Sequence, residues 1–246
     1  MPSGSILLMD GNNVFMRLYS LNRTHEQFMQ ALAELESEGS PIWFWDGFDS
    51  RHYRRAIYPE YKANRNKNVQ DSAVFELMND YKLNQTSPRI EIPQWEADDV
   101  IAYMAKRVRI ANPNRDIILY TTDADLKTLN VTARVQTPWI KSLSDISAAD
   151  IHLYKTLVGD SSDNIKGCKG FGATAWTLLS EDHKHTLSQA LEKDEPACPL
   201  LENCKYSNLL QLHWQSVKMA YKLVDFRYDE TLPKLIEKHY VSGSKV

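Results

Sequence analysis

Four apolar runs in this chain each end against an acid, and that arrangement narrows the folds open to it more than any other feature. Ile6-Leu7-Leu8-Met9 runs into Asp10, and Ile42-Trp43-Phe44-Trp45 into Asp46. Ile90-Glu91-Ile92-Pro93 stands shortly before Glu96, and Ile117-Ile118-Leu119-Tyr120 shortly before Asp123. Short, nearly continuous apolar runs are the mark of strands buried on both faces of a parallel sheet. If the four are neighbours, their C-terminal ends bring the carboxylates to one rim, where open α/β folds place ligands. Such a rim repels itself unless cations neutralise it, and hard oxygen donors select Mg²⁺ or Mn²⁺.

Helical periodicity fills the spaces between the runs. Residues 24 to 37 carry Phe28, Ala31, Leu32 and Leu35 on one face, and Gly39-Ser40-Pro41 stops them. Asp10-Gly11-Asn12-Asn13 reads as a turn, and Gly47 to Asp71 as irregular, basic and aromatic. Residues 72 to 83 and 96 to 109 follow as helices, the second with Glu96, Asp98 and Asp99 crowding its positive first turn. A further short strand is expected from Arg134 to Thr137. Past residue 145 the strand signal fades: helices are expected over 147 to 158, from Ala173, and over Leu209 to Val224, with a loop from 194 to 206 and fraying from Ser242.

The 246 residues, 43% hydrophobic and 25% charged, suit one large α/β domain, or a main domain with a smaller helical appendage. No apolar stretch approaches the roughly 18 to 20 residues that span a bilayer, and the N-terminus lacks the layout of a secretory signal. The odd set Cys168, Cys198 and Cys204 makes no disulfide framework, so a reducing cytoplasm is the expected setting. Cys198 and Cys204 stand near His183 and His185, but without zinc spacing. A net charge of −3 becomes +6 once Asp10, Asp46, Glu96, Asp98, Asp99, Asp123, Asp125, Asp160 and Asp163 are set aside, so nucleic acid remains open as a partner. Residues 51 to 70 hold Arg51, Arg54, Arg55, Lys62, Arg65 and Lys67, with Tyr53, Tyr58 and Tyr61 among them. Cations interleaved with aromatic rings suit phosphates and a stacked base.

A single aspartate after a strand is most simply a helix cap. Capping uses one acid per turn, however, and Asp123 with Asp125 or Asp98 with Asp99 exceeds that. In order and setting, Asp10-Gly11-Asn12-Asn13, Trp45-Asp46-Gly47, Tyr61-Lys62-Ala63-Asn64-Arg65, Glu96-Ala97-Asp98-Asp99, Thr122-Asp123-Ala124-Asp125-Leu126 and Gly159 to Asn164 with its glycine hairpin resemble the flap endonuclease and 5′-to-3′ exonuclease family, over roughly residues 5 to 180.

That resemblance implies a PIN-like fold: a central, mostly parallel twisted sheet flanked by helices over 1 to 145, with a basic arch or gateway at 50 to 85. A helical duplex-binding region follows over 146 to 246, its helix-three-turn-helix at 147 to 182. It implies a two-metal, Mg²⁺-dependent phosphodiesterase in which Mn²⁺ substitutes. One metal group is drawn from Asp10, Asp46, Glu96 and Asp98 and a second from Asp123, Asp125, Asp160 and Asp163, with Asp99 near both. Asp10 and Asp98 count among the catalytic residues. Lys62 and Arg65 would reach the scissile phosphate and stabilise its developing charge.

The nucleic-acid contacts so implied are Tyr61, Lys62, Arg65, Arg54, Arg55 and Lys67, with Lys166, Gly167, Lys169, Gly170 and Gly172 at the hairpin. A K⁺ ion there would rest on the carbonyls of Leu157, Val158, Lys166, Cys168 and Phe171. The chain departs from the family's pattern in Ala173-Thr174-Ala175, where a proline and a lysine are common, and in Thr122 and Ala124, where glycine and lysine are usual. The expected substrates are DNA with 5′ flaps, nicks or overhangs, and RNA/DNA hybrids. The expected protein is a free-standing, phage-type monomer acting in the cytoplasm, without membrane contact. A single-strand ribonuclease and a non-catalytic junction binder are the alternatives.

Overall fold

The computed structural model describes residues 4–22, 24–65 and 69–242. Along the chain, β1 (Ser5–Asp10), α1 (Gly11–Leu21), α2 (His25–Ser37) and β2 (Gly39–Asp46) come first. Next are α3 (His52–Ile57), α4 (Val69–Asn84), β3 (Arg89–Ile92), α5 (Ala97–Ala111), β4 (Ile117–Tyr120) and α6 (Leu129–Thr132). The remainder is α7 (Ile151–Val158), α8 (Ala173–Trp176), α9 (Glu181–Glu192), α10 (Ser207–Leu212), α11 (Trp214–Val224), α12 (Leu232–His239) and β5 (Tyr240–Val241). Two compact units result, one of Met1–His52, Lys67–Ser142 and Tyr228–Val246, the other of Tyr53–Asn66 and Leu143–Arg227.

The first unit is built on a sheet of order β4-β1-β2-β3-β5, parallel except for β5. The four apolar runs are its four parallel strands, with Leu8 opposite both Ile42 and Leu119. Period-2 alternation sends Leu7, Met9, Trp43 and Trp45 to one face, where they bury against Phe15, Phe28, Leu32 and Met78 from α1, α2 and α4. Trp43 and Trp45 stack at 5.4 Å, and Phe15 meets both edge-on. Both indole nitrogens are satisfied: Trp43 donates to the Glu36 carboxylate at 3.0 Å and Trp45 to the Gln85 side-chain amide oxygen at 3.3 Å. α5 contacts β1 and β2, its buried stripe running through Ala97, Ile101, Ala105 and Val108.

The second unit has its own core of Leu153, Leu157, Phe171, Trp176, Leu187, Leu210, Trp214 and Val217. A smaller cluster joins Tyr61 to Ile165, Ala220, Leu223 and Val224. α7 and α11 are its central helix pair.

Several expectations are corrected. Asp10-Gly11-Asn12-Asn13 is no turn: α1 begins at Gly11, capped by the Asp10 carboxylate on the Asn13 amide, and Val14, Phe15 and Leu18 supply the buried stripe. The weak helix propensity of Gly, Asn and Asn hides this start in the sequence. The segment after Gly47 contains the short helix α3. The strand expected at 134 to 137 is reduced to one parallel bridge of Gln136 to Ile118, with Arg134 in the left-handed region (φ 50°) on one side and Pro138, lacking an N–H, on the other. Leu209 to Val224 breaks at His213 into α10 and α11, the helix from Ala173 lasts only to Trp176, and α9 and α12 are additional. The expected boundary at residue 145 lies near the Ser142–Leu143 break, but the units interleave, since β5 pairs with β3 and α12 contacts β3, while Tyr53–Asn66 groups with the second unit. Of the tail expected to fray, only Ser242 lies within the described residues.

Candidate metal centre and nucleic-acid interface

The parallel register sets the ends of β1, β2 and β4 side by side, and the motif after β1 ties them together. Asn12 accepts from the Asp46 amide at 3.1 Å. Asn13 accepts from the Thr122 amide at 2.9 Å and from its hydroxyl at 3.1 Å. Thr121 donates to Asp10 at 2.7 Å and accepts from the Asp123 amide at 3.1 Å. Asp46 reaches across to accept from the Ala97 amide at 2.9 Å, so it caps α5 in place of Glu96, whose side chain makes no cap bond. Asp123 accepts from the Asp125 amide at 3.0 Å. Gly47 has to be glycine: a Cβ there would stand 1.8 Å from the Ile92 carbonyl oxygen.

Seven of the nine acids therefore belong to the first unit, and four of them, Asp10, Glu96, Asp99 and Asp125, are buried. Burial pushes the Asp10 carboxyl up to about 7; the Thr121 hydrogen bond opposes this, and the charges of Asp46 and Asp123 add to it. A carboxyl that feels two neighbouring carboxylates marks a local excess of negative charge on hard oxygen donors, which is the chemistry a divalent cation relieves. Among the described residues no group of three or more acidic, histidine or cysteine side chains stands in a geometry that could hold a metal ion. On charge and donor type the first unit's acids fit Mg²⁺ or Mn²⁺.

Asp160 and Asp163 fit less well, because in the second unit each already holds a cation. The buried Lys155, absent from the sequence expectations, pairs with Asp160 at 2.7 Å. Although burial opposes it, Lys155 and Ser162 hold the Asp160 carboxyl below the ordinary range. Asp163 takes Arg65 at 2.6 Å, Lys62 at 3.5 Å and the Tyr61 hydroxyl at 3.2 Å.

Two expected nucleic-acid contacts are corrected. Tyr61 is 2% exposed and presents no face for a base to stack on. Arg54 is 3% exposed, with its guanidinium donating to the carbonyls of Leu223 at 2.9 Å and Asp225 at 3.1 Å, where it closes the C-terminal end of α11. Arg55, Lys166, Lys169, Gly170 and Gly172 are exposed; Lys67 lies outside the described residues. In the hairpin, Asp160 and Ile165 exchange backbone hydrogen bonds at 2.8 Å. Gly167 closes its base at φ 61°, where a Cβ would stand 2.5 Å from the Gly159 nitrogen. Of the five carbonyls implied for K⁺, those of Leu157 and Cys168 already accept one backbone amide each, which leaves each a second lone pair.

The family model for the 5′-3′ exonuclease N-terminal resolvase-like domain matches residues 5–155. This chain belongs to the 5′-3′ exonuclease family. The matched span runs from β1 into α7 and contains all seven acids of the first unit. Among curated relatives of this family, the chain is 29% identical over 257 residues to a thermostable DNA polymerase I of Thermus thermophilus, covering 93% of this chain and 29% of that protein. It is 30% identical over 171 residues to the 5′-3′ exonuclease of Aquifex aeolicus, covering 63% and 57% respectively. The chain thus spans about a third or less of the first polymerases it matches. In fold it is similar to the T5 D15 protein co-crystallised with metal ions, with a TM-score of 0.67 at 23% identity over 95% of this chain and 97% of that one. The sheet and its flanking helices are those of the exonuclease family.

The sequence reading missed Asn12, Asn13 and Thr121 as site residues. Their signal was present: amide and hydroxyl side chains directly following strands that end in the acidic rim.

Proposed function

We propose that the chain is a divalent-metal-dependent, structure-specific 5′ nuclease that hydrolyses phosphodiester bonds of DNA or RNA/DNA beside single-to-double-strand junctions, as a flap endonuclease and 5′-to-3′ exonuclease. The observation that carries the reading is the rim itself, where Asp10 is buried at the end of β1 under the charges of Asp46 and Asp123. Asp10, Asp46, Glu96 and Asp98, and Asp123 and Asp125 with Asp99, are the residues that would hold the ions. When bound, a pair of divalent ions supplies water activation and charge neutralisation for in-line phosphodiester hydrolysis.

The chain's own residues orient and bind. Asn12, Asn13 and Thr121 fix the backbone from which the acids project, so that little reorganisation is needed when cations arrive. Lys62 and Arg65 supply positive charge to the phosphoryl oxygens in the transition state. The exposed Lys166 and Lys169, with the hairpin amides, grip duplex phosphates, and K⁺ on the carbonyls of Leu157, Val158, Lys166, Cys168 and Phe171 adds to that grip. The left-handed Gly159 and Gly167 pack against the hairpin's own backbone and hold its shape, and the exposure of Gly170 and Gly172 supports this assignment.

Cleavage of a 5′ flap, a nicked duplex, an RNA/DNA hybrid and single-stranded RNA, each with Mg²⁺, Mn²⁺ or EDTA, tests the reading. Cutting of the flap that depends on Mg²⁺ or Mn²⁺ is expected. Junction binding without cutting in any metal would leave a passive module, and cutting confined to single-stranded RNA would leave a ribonuclease.

A further inference from the structure

The carboxylate of Asp163 sits among three donors that converge on it. Arg65 Nη2 lies 2.6 Å from Oδ1, and Lys62 Nζ and Tyr61 Oη lie 3.5 and 3.2 Å from Oδ2. Two cations and a hydroxyl aimed at one anion make an anion site, here filled by the chain itself. The frame that holds these donors does not depend on that carboxylate. The Lys62 amide donates to the Asp163 carbonyl oxygen at 2.9 Å, Asn64 donates to the Ser161 carbonyl at 2.7 Å, and Asn164 donates to the Glu60 carbonyl at 2.8 Å. Lys62 is held in the left-handed region (φ 54°), a conformation that lysine adopts only where surrounding contacts impose it. Its ammonium also lies 4.8 Å from the Tyr61 ring centre, a second support that needs no carboxylate.

We infer that Asp163 is a positioning residue that preassembles a phosphate site, its carboxylate standing in the free protein where a backbone phosphate of the substrate sits between Lys62 and Arg65. Nucleic-acid binding then exchanges one anion for the other. The Lys62 and Asp163 side chains are almost buried, at 7% and 11% exposure, whereas Arg65 is 44% exposed, so a phosphate enters from the Arg65 side. Until that exchange the two cations are masked. A loose anion must compete with an intramolecular partner, and only a substrate with further contacts elsewhere displaces it. The inference rests on the nuclease reading for the identity of the incoming anion.

Binding of a fluorescently labelled 5′-flap duplex in EDTA, followed by anisotropy across a salt series, separates this role from metal ligation and from cleavage. Asp163→Asn is expected to bind about tenfold more tightly at about 0.1 M salt, with the salt slope steeper by about 1 to 2, because two cations are released to phosphate. Adding Arg65→Gln to Asp163→Asn should cancel most of that gain. Glu60→Gln, which removes a charge from an exposed acid of the same segment, should gain less than about twofold. Unchanged or weaker binding by Asp163→Asn, or an equal gain from Glu60→Gln, would overturn the inference.

Should Asp163→Asn fail to fold, the side-chain NMR resonance of Arg65 in the wild-type protein decides. It is expected to shift when the duplex saturates the protein in EDTA, and an unmoved resonance overturns the exchange. Failure of the metal-dependent cleavage assay would instead remove the nuclease reading while leaving these binding results intact.

Discussion

At the scale of single residues, Asp10 shows how a buried acid opposes folding once it loses its proton. Below about pH 4 its carboxyl carries a proton whether the chain is folded or not, and it costs nothing. As pH rises from about 4 to about 7 the unfolded chain gives up that proton while the folded chain keeps it, so stability falls. Above pH 7 the full penalty applies, with a ceiling of about 4 kcal/mol. Asp10→Asn should therefore melt about 5 to 10 °C above wild type in EDTA at pH 8, and level with it near pH 4. Thermal unfolding at the two pH values checks this; an equal offset at both would contradict it. Lys62→Ala should slow turnover at least about a hundredfold, as loss of a transition-state donor does, and single-turnover kinetics read that directly. Asp10, Asp46 and Asp123 were legible as acids at strand ends because each follows an apolar run. The engagement of Lys62 and Arg65 by Asp163 was not, since nearly a hundred residues of chain separate the partners and no local pattern encodes the pairing.

Secondary-structure elements explain why some basic residues are not what their composition implies. Arg54 stands in a run of cations, yet its guanidinium is spent on two carbonyls at the end of α11. Arg54→Ala should lower the unfolding free energy by about 2 to 3 kcal/mol, because carbonyls buried with a charged donor lose it. Chemical denaturation measures that loss, and the salt slope of duplex binding should stay as in wild type; a reduced slope with unchanged stability would return Arg54 to the interface. The four parallel strands were readable because strands buried on both faces must be apolar throughout. α1 was hidden by its Gly-Asn-Asn start, and the split at His213 by an apolar period that continues across it. The 134–137 strand failed because its alternation is set by residues whose backbone cannot extend the ladder past Gln136.

For the molecule as a whole, the features divide between two units: the sheet unit contains seven of the nine acids, and the helical unit contains the glycine hairpin and the Lys62 and Arg65 pairs with Asp163. Their interleaving along the chain was illegible because β5 and α12 join the sheet unit from the far end of the sequence. Among the described residues no helix is long and apolar enough to cross a membrane. The proposed activity depends most on divalent cations binding the acids at the strand ends. Calorimetric titration of Mn²⁺ into the free protein near pH 7, for wild type and for Asp10→Asn with Asp98→Asn, measures this directly. Saturable binding that releases protons in wild type, and that is lost in a still-folded double variant, is the predicted result; indistinguishable titrations of the two proteins, or no binding by wild type, would contradict the account.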